Sequence, residues 1–274
     1  MSDTESAAFN TFEAAGWQQR SQAYDRFFAG ITGRLADPLL DAAGIVPGTK
    51  VLDVATGPGY VAAAALRRGA DVVAVDIAPA MVALARRRSR GLDVRVGDAE
   101  SLPFGDGSFG AVLSGFGLMH LGDPERAVAD FARVTARNGR VAVSVWDRPD
   151  RGRLAGLFAD AVAEAGAAPP DEVPPGPAFF RFADSAALER LLRGAGLADP
   201  RVEVVSFAHR VGSAAELWDA MLAATVRTSA TITGQTPETR RRIRSAYERL
   251  AAAYADADGL AVPVSVLIGS AQKL

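Results

Sequence analysis

The chain has 274 residues, 49% of them hydrophobic, with a formal net charge of −2 and a sequence pI near 5.8. That apolar content suffices for one large α/β domain or two small ones, and the charge offers no global field to hold a polyanion, so nucleic acid is not an expected partner. With no cysteine, disulfides, thiolate metal sites and a cysteine nucleophile are excluded, and two histidines, His120 and His209, leave little for a histidine-based metal site.

The opening residues, MSDTESAAFN, are polar and acidic and lack the basic and apolar regions of a secretory signal. No apolar run approaches the roughly 20 residues that cross a bilayer. The expectation is a soluble cytoplasmic protein without membrane insertion. Residues 9–44 read as two helices, WQQRSQAYDRFFAGI and TGRLADPLLDAAGI, within an N-terminal helical cap over 1–44.

From 49 to 146, short Val-rich runs (KVLDVA, DVVAVD, LDVRVG, FGAVLSG, GRVAVSVW) alternate with Ala-, Leu- and Arg-rich segments of helical spacing. This is βαβ repetition, and runs apolar on both faces suit a parallel sheet covered by helices on each side. The spacing predicts helices at roughly 59–68, 79–89 and 124–136, with Pro79 and Pro124 in first turns and Asp123 as an N-cap. The resulting fold class is α/β, a doubly wound, mostly parallel sheet.

Beyond Trp146, RGRLAGLFADAVAEAG reads as helix, APPDEVPPGPAFFRF as an irregular Pro-rich connection, and SAALERLLRGAG as a helix stopped by Gly. RVEVVSFAHRV reads as a strand, two helices follow at about 213–229 and 236–257, and AVPVSVLIGSAQK is a last strand. No linker separates independent units, so 1–274 is expected to be one domain: core 45–146, substrate lid and sixth strand 147–260, last strand 261–274.

In a doubly wound sheet the ligand sits where strands end and helices begin. The loop after the first strand lies in VLDVATGPGY, where Asp53 occupies a strand position that burial would make apolar, ahead of two glycines flanking a proline. Gly57-x-Gly59-x-x-Ala62 satisfies the dinucleotide fingerprint, so alone it does not separate NAD from other adenosine ligands. Asp76 ends the second strand, where a carboxylate accepts from ribose hydroxyls, which also fits NAD. Asp98, in VRVGDAE, is placed to reach an adenine edge. Asp53 discriminates, since a pyrophosphate beside it would be repelled and a cation welcomed.

VLDVATGPGY, VVAVDIAPAMVALAR, VRVGDAESLPFGDGSFGAVLSGFGLMHLGDP and NGRVAVSVW, taken in order over about residues 45–146, resemble class I S-adenosylmethionine-dependent methyltransferases, specifically the ubiquinone and menaquinone biosynthesis branch. The resemblance implies a seven-stranded Rossmann-like sheet with N-terminal helices and a helical lid inserted in the C-terminal half. It implies S-adenosyl-L-methionine as cofactor, with Ala55, Gly57 and Gly59 approaching its amino-acid part and Asp53 ordering that loop and polarising the ammonium site. By the same resemblance Asp76 binds ribose, Ile77 and Met81 lie against adenine, and Asp98 and Ala99 contact its edge. Ser114 and Phe116 lie beside the methionine portion, and Tyr24 belongs to a flap over the cofactor. The implied partner is a small-molecule methyl acceptor, with O-, N- or C-methylation open, in specialised metabolism; a homodimer remains open.

Each assignment has a plainer counterpart. Asp53 could cap a helix, Asp76 and Asp98 could be turn residues, and His120, in GLMHLGDP, is either a base near the acceptor or part of a strand-to-helix connection. His209 reads as structural. RRRSR and TRRRIR fit a helix C-terminus and a solvated helix face better than a nucleic-acid surface. Trp146, Phe179, Phe180 and Trp218 line an acceptor pocket or belong to the core. No metal is implied. Two other functions stay in view: a non-methylating enzyme of the same fold, such as a cyclase, and an NAD(P)-dependent oxidoreductase, disfavoured by Asp53 and by the lack of a Tyr-x-x-x-Lys pair.

Overall fold

The structure, a computed structural model, describes residues 2–274; of the opening MSDTESAAFN, Met1 lies outside the described residues. The Val-rich runs form β1 (Lys50–Val54), β2 (Asp71–Asp76), β3 (Asp93–Val96), β4 (Phe109–Gly115) and β5 (Thr135–Trp146). They pair in parallel, in the order β3-β2-β1-β4-β5. Four of the five residues of β1 are buried, as are most of β4, which is why these runs carry no polar alternation. The intervening helices are α2 (Tyr60–Arg67), α3 (Pro79–Arg88) and α4 (Pro124–Val134), the last capped by Asp123 accepting from the Arg126 N–H at 2.9 Å.

The second half continues with α5 (Arg153–Glu164), α6 (Ser185–Gly194), β6 (Ala198–Val211), α7 (Ala214–Ala224), α8 (Arg227–Thr233), α9 (Pro237–Ala251), β7 (Ala255–Asp256) and β8 (Gly259–Gln272). β8 inserts antiparallel between β5 and β6, so the main path has the expected seven strands. An added two-residue strand, β7, hairpins onto β8 through the turn at Ala257 and Asp258. Among the described residues no helix is long and apolar enough to cross a membrane.

Two expectations about helices are corrected. The N-terminal cap is one 40-residue helix, α1 (Asp3–Ala42), about 60 Å long at 1.5 Å per residue, started by a Ser2–Glu5 capping box. Pro38 lies inside it, denying the carbonyl one turn back its usual donor, and burial of Leu35, Leu39 and Leu40 around it outweighs that loss. Thr32 likewise stays helical, its hydroxyl donating to the Phe28 carbonyl at 2.9 Å. Conversely, the helix expected over 213–229 breaks in two. Thr225 is extended (φ −115°, ψ 149°) and its hydroxyl donates to the Met221 carbonyl at 2.7 Å, ending α7, after which α8 begins at Arg227.

The helices of the second half bury a core of their own. Trp218 of α7 stacks on Phe158 of α5 (centroids 5.7 Å apart) and tilts against Tyr247 of α9 (5.1 Å), beneath the Arg244 guanidinium. Its assignment to an acceptor pocket is therefore corrected: the indole is packing between α5, α7 and α9. Truncation there leaves a void that rigid neighbours cannot fill, so Trp218→Ala is expected to lower unfolding free energy by about 3–5 kcal/mol, measured by urea denaturation, with Trp218→Phe losing much less.

Candidate active site

The carboxyl ends of β1, β2 and β4 open into a cavity of about 1020 Å³, counting its mouth, roofed by α1. The loop leaving β1 is held from two sides by buried carboxylates. Asp53 Oδ2 accepts from the Thr56 hydroxyl at 2.6 Å and from the Ala62 N–H at 3.0 Å. Asp76 accepts from the Gly57 N–H at 2.8 Å with one oxygen and from the Ala78 N–H at 2.9 Å with the other. Burial pushes Asp53 up to about 7, against the lowering effect of its donors, and Asp76 up to about 6 for the same reason. With Asp53 partly protonated near neutral pH, its repulsion with Asp76 beneath the same loop is reduced.

Ala55 and Phe116, which follow β1 and β4, both take left-handed backbone (φ 54° and 58°), a conformation that costs a non-glycine residue energy and concentrates at functional sites. Their turns aim the Phe116 ring into the cavity beside Ile77, Met81, Asp98 and Ala99. From above, α1 contributes Asn10, Glu13, Trp17 and Tyr24, spaced so that one helix face covers the opening. Tyr24 stacks on Phe28 (4.7 Å) and meets Trp17 edge-on (5.3 Å), and burial raises its phenol far above the ordinary tyrosine value.

A second cavity, about 530 Å³ counting its opening to solvent, adjoins the first through shared walls at Trp17, Tyr24, Phe116 and His120. Half of its lining residues carry rings: Trp146 lies 4.6 Å from Phe116, and Phe179 approaches His120 at 5.9 Å. His120, on a single 3-10 turn (Leu118–His120), stands at the junction with Nδ1 3.0 Å from Glu13 Oε2.

The part of this arrangement with the glycine loop ahead of α2 and the acid ending β2 lies in a segment similar to known proteins. Residues 52–143 match the family model described as a methyltransferase domain. That segment is a third of the chain and carries the loop after β1 and the acid ending β2. A demethylmenaquinone methyltransferase of Renibacterium salmoninarum is 38% identical over 131 residues, covering 48% of this chain and 55% of that protein. The chain spans about half the length of the curated relatives it matches. Among solved structures, a Haemonchus contortus phosphoethanolamine N-methyltransferase aligns with TM-score 0.59 at 18% identity, over 97% of this chain and 60% of that one. The cyclase SpnF aligns with TM-score 0.51 at 23% identity, over 88% and 80% of the two chains. At those identities the structures establish a common fold.

Within the matched segment, Ala55, Gly57, Asp76, Ile77, Met81, Asp98, Ala99 and Phe116 all line the first cavity, as does Tyr24 from α1. Three residues expected at the ligand do not. Asp53, 1% exposed, lies under the loop and acts on it through Thr56 and Ala62. Gly59 faces α3: a Cβ there would fall 2.9 Å from Ala85 Cβ, so its role is the close approach of two helices. Ser114 is fully buried in the strand, its hydroxyl without a hydrogen-bond partner. Of the aromatics, Trp146 and Phe179 line the annex, whereas Phe180 stands behind Phe179 at 5.0 Å.

His209 is half-buried beside Phe27, and burial followed by the nearby Arg34 lowers its pKa, consistent with a structural role. Two of the four arginines of RRRSR are engaged within the fold, Arg86 with the Val94 carbonyl and Arg88 with Asp25. Glu13 and Arg227 were not legible as site residues. Both are nearly enclosed, and the signal that could have found Glu13 is a carboxylate four residues before Trp17 on the buried stripe of α1.

The buried carboxyl of Asp53 sets a pH dependence. Its folded pKa stands above the ordinary value near 4, so the fold holds a proton that the unfolded chain releases between about pH 4 and 7, and stability falls as pH rises through that window. Asp53→Asn keeps an acceptor for Thr56 and Ala62 without the charge. Its urea midpoint should vary less between pH 5 and 8 than that of the parent, with the relative gain largest at pH 8 and on the order of 1–3 kcal/mol.

Proposed function

We propose that the chain is an S-adenosylmethionine-dependent methyltransferase acting on a small-molecule acceptor, with residues 45–146 as the cofactor-binding core. The observation that carries this reading is the junction of two cavities, one built around the tied glycine loop and Asp76, the other lined by aromatic rings, meeting at His120.

The residues fit the cofactor. Gly57 (φ 55°) has no atom within 4 Å of the position its Cβ would take, leaving the backbone bare towards a ligand. Asp76 uses one lone pair of each oxygen on the N–H groups of Gly57 and Ala78, and the remaining pairs can accept from a ribose diol. Ile77, Met81 and Ala99 supply an apolar slot for a purine, with Asp98 at its edge. Tyr24, raised so that it stays a neutral phenol, covers the cavity from α1.

When bound, S-adenosylmethionine supplies a sulfonium methyl whose leaving group departs neutral. The chain's own task is then placement and exclusion of water. α1 closes the roof with Trp17 and Tyr24, Phe116 and Trp146 form the wall between cofactor and acceptor, and His120 offers a base at the junction. The acceptor is proposed to be a partly apolar molecule of specialised metabolism, because α1, the 168–182 connection and α7–α8, outside the matched segment, build the annex.

Incubation with methyl-deuterated S-adenosylmethionine and a panel of phenols, amines and quinols, read by mass spectrometry, is expected to yield labelled product. Asp76→Ala should weaken S-adenosylhomocysteine binding by about 10- to 100-fold in calorimetry, the loss of charge-assisted hydrogen bonds. Tight binding of NAD with none of S-adenosylhomocysteine would replace this reading by an oxidoreductase, and tight S-adenosylhomocysteine binding without transfer to any acceptor would favour non-methylating chemistry.

A further inference from the structure

Glu13 is 2% exposed, yet it is a carboxylate on the roof of the cavity and belongs to none of the loop-ordering contacts. One oxygen lies 3.0 Å from His120 Nδ1 and the other 3.3 Å from Arg227 Nε, an ion pair without hydrogen-bond alignment. Arg227 in turn donates to the Pro177 carbonyl at 2.8 Å and to the Met119 carbonyl, next to His120, while its guanidinium lies over Phe9 and Phe179 at 5.0 and 5.2 Å. Glu13 on α1, Arg227 on α8 and His120 on the turn after β4 thus fix one another across three elements.

We propose that Glu13, held by Arg227, is a positioning residue for His120, and that the acceptor they serve is a neutral aromatic compound bearing a hydroxyl group. The proposal rests on the methyltransferase reading above.

A carboxylate only accepts, so its bond assigns the imidazole proton to Nδ1 and leaves the Nε2 lone pair free. With His120 shared between the cavities, that lone pair belongs at the point where an acceptor meets the methyl. The annex selects the acceptor by what its walls lack. No Asp or Glu lines it among the described residues, so a protonated amine would find no counter-charge. The one guanidinium there is already committed to Glu13 and two carbonyls, so an anionic group would find no free cation. Rings from Trp17, Phe116, Trp146 and Phe179 suit a planar ring system.

A neutral hydroxyl is the acceptor that needs a base. As the aryl oxygen bonds to the methyl carbon, its proton passes to His120 Nε2 and the carbon–sulfur bond breaks with its electron pair staying on sulfur. The products are an aryl methyl ether, the neutral thioether S-adenosylhomocysteine and an imidazolium facing Glu13.

The test uses the full chain, Glu13→Gln, Glu13→Asp and a series of naphthols graded from unsubstituted to nitro-substituted, the last ionised at the assay pH. Methyl transfer gives kcat and KM, calorimetry gives the dissociation constant of S-adenosylhomocysteine, and thermal unfolding checks the fold. For weakly acidic naphthols Glu13→Gln is expected to lower kcat by about 10- to 100-fold, with KM and the dissociation constant changed by less than about threefold and Glu13→Asp restoring part of the rate. For the ionised naphthol the loss should shrink to about threefold or less, because no proton remains to be removed. An equal loss across the series, or a loss in KM alone, would overturn the positioning role. Transfer to amines or carbon but to no naphthol, with S-adenosylhomocysteine bound, would overturn the acceptor class alone. Failure to bind S-adenosylhomocysteine would remove the methyltransferase reading as well.

Discussion

The β1–α2 loop is held by two buried carboxylates, and the geometry of the site depends on that anchoring. Charged groups in an apolar interior are costly unless donors meet them. Asp53 and Asp76 are met mainly by backbone N–H groups of the loop and the helix starts they organise, namely Gly57, Ala62 and Ala78. The loop's N–H groups satisfy the acids, and the acids in turn shape the loop. Their raised pKa values measure how incomplete the compensation is: Asp53 Oδ1 has no partner at all.

Parallel register puts those acids where they act. Asp53 pairs with Ala74 and Val54 with Val75, so the ends of β1 and β2 emerge side by side and Asp76 can reach across to Gly57. Over this frame lies α1, packed on α2, α3 and α7. Because it is one continuous helix in spite of Pro38, its anchored C-terminal half, with Ile31, Leu35 and Leu39 in the core, fixes the direction of the half that carries Glu13, Trp17 and Tyr24. Roof and core are one rigid element, and the placement of the roof residues follows from packing some 20 Å away at 1.5 Å per residue.

Most strands and helices of 45–146 were legible because β1, β2 and β4 are largely buried and α3 and α4 begin with a proline, strong local signals, while the exposed β3 and the uncapped α2 were placed by the alternation around them. The cavity-lining positions Asp76, Ile77 and Met81 followed from the motif order. Three things were not legible. A Pro near a helix end is read as a break, and only the buried Leu35, Leu39 and Leu40 around Pro38 decide otherwise. Trp218 and Trp146 look alike in sequence, yet one faces α5 and α9 and the other Phe116, a difference set by tertiary contacts. Arg227 sits in a chain of polar residues whose inward turn comes from the extended Thr225 just before it.

The division of the chain follows from what each part must recognise. A cofactor common to many enzymes imposes one geometry, and the segment that matches the methyltransferase model, 52–143, is the segment that builds its proposed cradle. Acceptors differ, and the residues proposed to meet one here come largely from elsewhere: Glu13 and Trp17 from α1, Phe179 from the Pro-rich connection, Arg227 from α8. His120 and Phe116 are the exceptions, lying inside the matched segment and at the junction of the two cavities. His120 is therefore the point where a shared framework is adapted. The same histidine can be a structural link or a base according to what α1 and α8 bring to its Nδ1, and in this chain they bring a carboxylate held by an arginine.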